Sequence, residues 1–133
     1  MRQTIRSMSF RLLLGAGLLA AGSWALALTV KPFSAPELAS LQQAGKPVAV
    51  HFHADWCPTC VNQARALDEL KADVQLKDVT VLVANYDTEK DLRKSLKVRS
   101  QSVFVVYKGA QEVTRINGQT RAAEIKAQLV KAQ

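Results

Sequence analysis

Residues 47–72 join a strand-like segment to a helix-like segment, and the two cysteines of the chain lie at the junction. Residues 47–53 alternate valine and phenylalanine on one face with Ala49, His51 and His53 on the other, which predicts a buried strand. From Pro58 to about Ala72, helical spacing places Val61, Ala64, Leu67 and Leu70 on one face, which predicts an amphipathic helix. A strand that runs directly into a helix is typical of folds in which strands and helices alternate.

The rest of the chain continues this alternation. Ser34 and Glu37 form the pattern of a capping box, with an early proline at Pro36, and predict a helix over 36–44. Thr88 predicts the cap of a short helix ending near Leu96. Further elements are predicted as a strand at 79–86, a strand at 103–107 with a hairpin partner at 111–116, and a terminal helix from Thr120. This order predicts an α/β fold, in which a central mixed sheet carries helices on both faces.

The first 27 residues have the pattern of a signal peptide. Arg2, Arg6 and Arg11 precede a stretch without charges, which ends in Ala25-Leu26-Ala27. A basic start, a short apolar run and small residues at the end are what a signal peptidase requires. We expect cleavage after Ala27, export, and a single mature domain over residues 28–133. An uncleaved membrane anchor is the alternative, because the apolar run is only slightly shorter than a membrane span.

Charge and cysteine content narrow the function. The chain carries 18 basic and 11 acidic residues; three of the basic ones lie in the predicted signal peptide. The other basic residues are scattered with few aromatic neighbours, which argues against a nucleic-acid partner. Two cysteines three positions apart cannot link distant segments. In an exported protein, such a pair indicates redox chemistry rather than a structural disulfide.

Cys57 and Cys60 are the candidate catalytic residues. A thiol at a helix N-terminus faces unpaired N–H groups and the positive end of the helix dipole, and both lower its pKa. Cys57 is therefore the expected nucleophile, and Cys60, one turn later, the residue that resolves a mixed disulfide. Pro58 suits the first helical turn. A Cys-x-x-Cys pair also serves as half of a zinc site, but the chain has no second pair of cysteines.

The segment Val-Ala-Val-His-Phe-His-Ala-Asp-Trp-Cys-Pro-Thr-Cys resembles the active-site strand and loop of thioredoxins. The resemblance continues through residues 66–70, 83–87 and 96–100 to the hairpin and Gly118. It implies a thioredoxin fold with a sheet of four or five strands and disulfide exchange with protein partners. Ala-Asp-Trp-Cys is also similar to thioredoxin-like domains that carry reducing equivalents in the bacterial periplasm, so we expect a periplasmic monomer with a membrane redox donor or acceptor. No cofactor is implied, because the sulfurs carry the electrons.

The sequence departs from this family at three positions. His51 stands where thioredoxins usually carry a buried acid, and we expect it either to accept a proton from the buried thiol or to be a core histidine bonded to a main-chain carbonyl. His53 replaces a residue that is usually aromatic. Ser102 stands where the family places a cis-proline. We expect a trans peptide and an altered loop there, or a strained cis bond.

The residues expected to contact partners lie around the dithiol. They are Trp56, Pro58 and Thr59, together with the loop residues Gln101, Ser102 and Val103. The alternative function is a metal-binding protein in which Cys57, Cys60, His51 and His53 hold zinc or copper, since thiolate and imidazole are suitable ligands.

Overall fold

A computed structural model describes residues 27–133; the predicted signal peptide lies outside the described residues except for Ala27. Five strands form one mixed sheet, and their bounds are Leu28–Pro32 (β1), Pro47–His53 (β2), Val79–Asn85 (β3), Val103–Lys108 (β4) and Gln111–Asn117 (β5). The order across the sheet is β1-β3-β2-β4-β5. The first three strands are parallel, whereas β4 runs antiparallel to β2 and β5 antiparallel to β4. The predicted mixed sheet with a closing hairpin is confirmed.

Helices connect the strands and cover both faces of the sheet. They are Ala35–Gln43 (α1), Pro58–Leu70 (α2), Lys90–Ser95 (α3) and Ala122–Leu129 (α4), with short 3₁₀ helices at Val74–Leu76 and Val130–Ala132. Between residues 27 and 133, no helix has both the length and the apolar character that a membrane crossing requires.

The alternation of side chains along the strands produces two cores. On one face, Ala49 and Phe104 pack in a buried cluster with Leu67 of α2 and Ile125 of α4. On the opposite face, buried residues of the strands, including Phe52, pack against partly buried leucines of α1 and α3. The predicted division of β2 into two faces is confirmed.

One strand and several boundaries differ from the predictions. β1 was not predicted, because its five residues include Lys31 and Pro32 and its pairing with β3 is long-range. α3 is capped by Glu89 without a side-chain bond, so the prediction of Thr88 as its cap was wrong. The side chain of Asn85 accepts instead from the N–H groups of Asp87 and Thr88, in the turn before the helix.

The predicted starts of the other helices lie within two residues of the observed ones. Ser34 caps α1 by accepting from the N–H of Glu37 at 3.4 Å. The carboxylate of Glu37 pairs with Lys31 rather than closing a capping box. α4 begins at Ala122, two residues after the predicted Thr120.

The topology brings two segments together at one edge of the sheet. The carboxyl end of β2 leads through residues 54–56 into α2, which begins at the dithiol. β4 is antiparallel to β2 and pairs Val103 with Phe52, so the residues before β4 reach the same edge. Ala27 lies at the amino end of β1, and the dithiol therefore lies at the opposite edge of the sheet.

Candidate active site

Cys57 is the N-cap of α2. Its backbone is extended, with φ −93° and ψ 112°, and its Sγ accepts from the N–H of Cys60 at 3.3 Å. Pro58 occupies the start of the helix, as predicted. Both cysteines are free thiols, 3% and 0% exposed. A sulfur at this position receives the N–H groups that a helix leaves unpaired, which favours the thiolate.

Ser102 brings a hydroxyl between the two thiols. Its Oγ lies 3.2 Å from Cys57 Sγ and 3.1 Å from Cys60 Sγ. No peptide bond among residues 27–133 is cis, and Ser102 has a φ of 65°. The left-handed conformation is uncommon for a residue other than glycine and persists only where its surroundings impose it. Ser102 thus has the trans peptide that we expected, in a left-handed backbone conformation.

The two thiols have different acidities. Burial raises the pKa of Cys57, but hydrogen bonds from Ser102, from the side chain and N–H of Cys60 and from the N–H of Thr59 outweigh it and lower the pKa from 9.0 to about 7. Burial is also the largest influence on Cys60, and there it raises the pKa despite the hydrogen bond with Ser102. The first thiolate to form is therefore that of Cys57.

His51 contacts an amide rather than a sulfur. Its Nε2 lies 2.9 Å from Gln63 Oε1. Because the Gln63 amide group donates to two carbonyls, Oε1 must accept, and His51 Nε2 carries the proton. The ring stacks on Phe104 at 4.0 Å, and burial lowers the pKa of His51 to about 4. His51 Nδ1 has no partner among the described residues. The expected partner of a core histidine was a main-chain carbonyl; the structure supplies a side-chain amide.

Gln63 is the residue that the sequence analysis missed. It is fully buried, and its Nε2 donates to the carbonyls of Ser102 at 3.0 Å and Gln119 at 2.9 Å. The buried face of α2 contains Cys60, Gln63, Ala66, Leu67 and Leu70. The sequence signal that could have identified Gln63 is a polar residue at a position on this buried face of the helix. The expected stripe began at Val61 and continued at Ala64, which are only half-buried.

The residues expected to contact partners divide into exposed and buried ones. Trp56 is 62% exposed, and its Nε1 donates to Asp87 Oδ2 at 2.8 Å. Pro58 is also exposed, while Thr59 and Gln101 are half-buried. Ser102 and Val103 are 5% and 4% exposed. The loop at Gln101, Ser102 and Val103 stays a predicted partner contact, and because the last two side chains are buried, that contact would use the main chain.

The histidines do not join the cysteines in a metal site. His53 Nε2 lies 3.0 Å from Asp55 Oδ1. With His51 and Asp68, His53 lines a cavity of about 190 Å³ between α2 and the sheet. Over residues 27–133, no three His, Cys, Asp or Glu side chains lie close enough together to hold a metal ion. The metal-binding alternative was wrong. The Nε2 atom of each histidine is hydrogen bonded to another side chain, that of Gln63 or Asp55, and both histidines lie on the face of β2 that α2 covers.

Comparisons with known proteins agree with this geometry. Residues 30–131 match the family model described as Thioredoxin. The chain is 31% identical over 90 residues to the thioredoxin of Mycobacterium bovis, an alignment that covers 68% of this chain and 77% of that protein. It is also 31% identical over 91 residues to a bifunctional thioredoxin reductase/thioredoxin of Mycobacterium leprae, of which it spans only 20%. The crystal structure of Trxlp from Edwardsiella tarda superposes with a TM-score of 0.72 at 36% identity, covering 76% of this chain and 98% of that one.

Proposed function

The chain belongs to the thioredoxin family of thiol–disulfide oxidoreductases, and from that premise we propose that it is exported and exchanges disulfides with protein partners in the periplasm. The observation that carries this proposal is the asymmetric dithiol. Cys57 caps a helix and has a lowered pKa, while Cys60 lies one turn later with a raised one. Such a pair provides one thiolate to attack and one protected thiol to resolve.

The exchange follows from this arrangement. The Cys57 thiolate attacks a partner disulfide, so that a bond forms between Cys57 and one partner sulfur while the other partner sulfur leaves as a thiolate. Cys60 then loses its proton and attacks Cys57. The Cys57–Cys60 disulfide forms and the bond to the partner breaks. The partner has gained two electrons, and its two sulfurs take up the proton of Cys60 and one proton from solvent. The reverse sequence oxidises a partner dithiol.

His51 is held away from the sulfurs in this scheme. It hydrogen bonds to Gln63 and, within the described chain, to neither cysteine. Its lowered pKa also makes it a weak base near neutral pH. Proton transfer by His51 stays a prediction, with Nδ1 as the accepting atom. Its contact with Gln63 supports a second role, which is to position the loop of Ser102.

The surface around the dithiol supports protein partners. Trp56 is held beside the site by Asp87, and Pro58 is exposed next to it. Aromatic side chains are enriched at protein contact surfaces. A monomer presents this edge of the sheet freely, and the partners we propose are protein thiols and disulfides, with a membrane protein as electron donor or acceptor.

Export is supported by the sequence before β1. Cleavage after Ala27 would leave every described strand complete, since β1 begins at Leu28. Leu28 itself is fully buried. Fractionation of cells expressing the full chain, followed by N-terminal sequencing, should give a periplasmic protein that begins at Leu28. A protein that begins at Met1 would contradict cleavage.

A redox titration of the mature protein against glutathione tests the exchange activity. Trp56 is the sole tryptophan after residue 27 and reports the state of the neighbouring dithiol. We expect a reversible two-electron couple, whose midpoint gives the direction of electron flow: about −270 mV is typical of a reductant and about −120 mV of an oxidant. Cys57→Ser should abolish exchange, and Cys60→Ser should accumulate mixed disulfides. Full activity in Cys57→Ser, or the absence of a reversible couple, would overturn the assignment.

A further inference from the structure

A single hydroxyl group contacts both reacting sulfurs. Ser102 Oγ lies 3.2 Å from Cys57 Sγ and 3.1 Å from Cys60 Sγ, both within hydrogen-bond distance for sulfur. A hydroxyl has one proton to donate and lone pairs with which to accept. It can therefore donate to one sulfur while it accepts from the other. When Cys57 is the thiolate, Ser102 donates to Cys57, and the Cys60 thiol donates to Ser102.

The main chain holds this hydroxyl in place. The N–H of Ser102 donates to the carbonyl of Phe52 at 2.9 Å. Its carbonyl accepts from Gln63 at 3.0 Å and from the N–H of Gly118 at 3.0 Å. These three bonds anchor Ser102 to β2, to α2 and to the segment after β5. They account for its left-handed backbone, which directs the short side chain between the sulfurs.

Cys60 has no other described partner that could take its proton. Besides Ser102, its Sγ approaches the carbonyl of Phe52 at 3.9 Å, the main-chain N–H of Ala54, which is a donor, and Cys57 Sγ, which is bonded to the partner during the resolving step. A peptide carbonyl accepts a hydrogen bond but, unlike a hydroxyl, has no proton of its own to pass on, so it cannot relay the proton of a thiol to another atom. Burial of Cys60 raises its pKa, so deprotonation in the resolving step needs a group at the sulfur.

We propose that Ser102 is a catalytic residue that carries the proton of Cys60 to the leaving partner sulfur during the resolving step. The inference rests on the proposed function of the dithiol. As Cys60 attacks Cys57, the S–H bond of Cys60 breaks and its proton joins Ser102 Oγ. In the same step the original hydroxyl proton passes to the partner sulfur as its bond to Cys57 breaks, so that Oγ never holds two protons. The serine ends unchanged, and no other reactant is needed.

The position of the leaving sulfur makes this transfer feasible. In a mixed disulfide the partner sulfur is about 2.0 Å from Cys57 Sγ. The hydroxyl already contacts Cys57 Sγ, so a small rotation of its proton directs it toward the partner. Proton transfer by a positioned side chain contributes about 10²–10⁴-fold to a reaction step.

Two variants separate the hydroxyl from the shape of the loop. Ser102→Ala and Ser102→Gly both remove the hydroxyl, but only glycine adopts a φ of 65° without cost. The reduced protein is mixed rapidly with excess oxidised glutathione or with excess Ellman's reagent, and the concentration-independent second phase is followed. Glutathione leaves as a basic thiolate that needs a proton, whereas thionitrobenzoate leaves as a stable anion.

We expect both variants to slow the second phase with glutathione by at least about tenfold, and to slow it less with Ellman's reagent. Equal slowing with the two reagents would assign Ser102 a structural role only and would overturn the proposal. An unchanged second phase in both variants would also overturn it. So would a second phase that is slow in Ser102→Ala but as fast in Ser102→Gly as in the wild type. If wild-type protein shows no second phase with either reagent, the proposed exchange function itself fails.

Discussion

The side-chain amide of Gln63 donates a hydrogen bond of 3.0 Å to the main-chain carbonyl of Ser102. Gln63 lies on α2, one turn after Cys60, whereas Ser102 directly precedes β4. The bond therefore joins the helix that carries the dithiol to the loop that places a hydroxyl on it. The other polar atoms of Gln63 are also paired, with His51 and with the carbonyl of Gln119. A polar chain from His51 through Gln63 to Ser102 thus lies beneath the reacting sulfurs.

Replacing Gln63 should destabilise the protein and impair exchange together. Gln63→Leu has a similar volume but leaves the N–H of buried His51 without this partner and removes one hydrogen bond from the carbonyl of buried Ser102. Each unsatisfied buried group costs about 1–3 kcal/mol, so we expect a loss of roughly 2–4 kcal/mol in the free energy of unfolding, measured by urea denaturation.

Asn62→Leu is the matched control for this change. Asn62 is the preceding residue of α2 and is exposed. Surface substitutions of this kind change stability by less than about 0.5 kcal/mol. Equal stabilities for the Gln63 and Asn62 variants would show that the buried hydrogen bonds of Gln63 contribute nothing.

Local patterns predicted most of this fold. β2 and α2 follow from the alternation of residues 47–53 and the helical spacing after Pro58, and a capping serine marks α1 correctly. β1 escaped prediction because five residues containing Lys31 and Pro32 carry little periodicity. Its place at the edge of the sheet depends on pairing with β3, some 50 residues away in sequence.

The sequence predicted the two cysteines of the active site, but not the polar residues and hydrogen bonds that surround them. The strand-to-helix junction identified Cys57 and Cys60, and the family resemblance placed Ser102 nearby. The direction of the Ser102 side chain depends on φ, which three long-range hydrogen bonds determine. No periodicity in the sequence encodes such bonds. The glutamine that makes one of them was visible only as a polar residue within an apolar stripe.

The acidity of Cys57 should appear in its alkylation kinetics. Hydrogen bonds lower its pKa from 9.0 to about 7 against the effect of burial. The rate of reaction with iodoacetamide, followed by mass spectrometry of the Cys57 peptide, should therefore rise with pH and level off above about pH 8. Ser102→Ala should move this profile to higher pH, because one of those hydrogen bonds is lost. A wild-type profile that matches free glutathione would contradict the assignment.

Introducing proline at position 102 should destabilise the folded protein. Ser102 has a φ of 65° and donates its N–H to Phe52, whereas proline requires a φ near −65° and has no N–H. We expect Ser102→Pro to lower the free energy of unfolding by at least about 2 kcal/mol in urea. Ser102→Gly, which keeps the N–H and tolerates the backbone, should lose less. A proline variant as stable as the glycine variant would mean that the loop readily adopts another course.

His51 should make stability depend on pH between about 6.5 and 4. In the folded protein burial lowers its pKa from 6.5 to about 4, so across this range the unfolded chain binds a proton that the folded chain does not. Stability is therefore greatest above pH 6.5 and falls as the pH drops, by on the order of 3 kcal/mol when pH 4 is reached. Urea unfolding followed by Trp56 fluorescence at several pH values measures this slope. His51→Gln can still donate to Gln63 and should remove most of it, leaving the contribution of the carboxylates. His53→Gln keeps His51 in place and should retain the slope. If the wild type and His51→Gln lose stability in parallel, the buried imidazole is not the group that titrates.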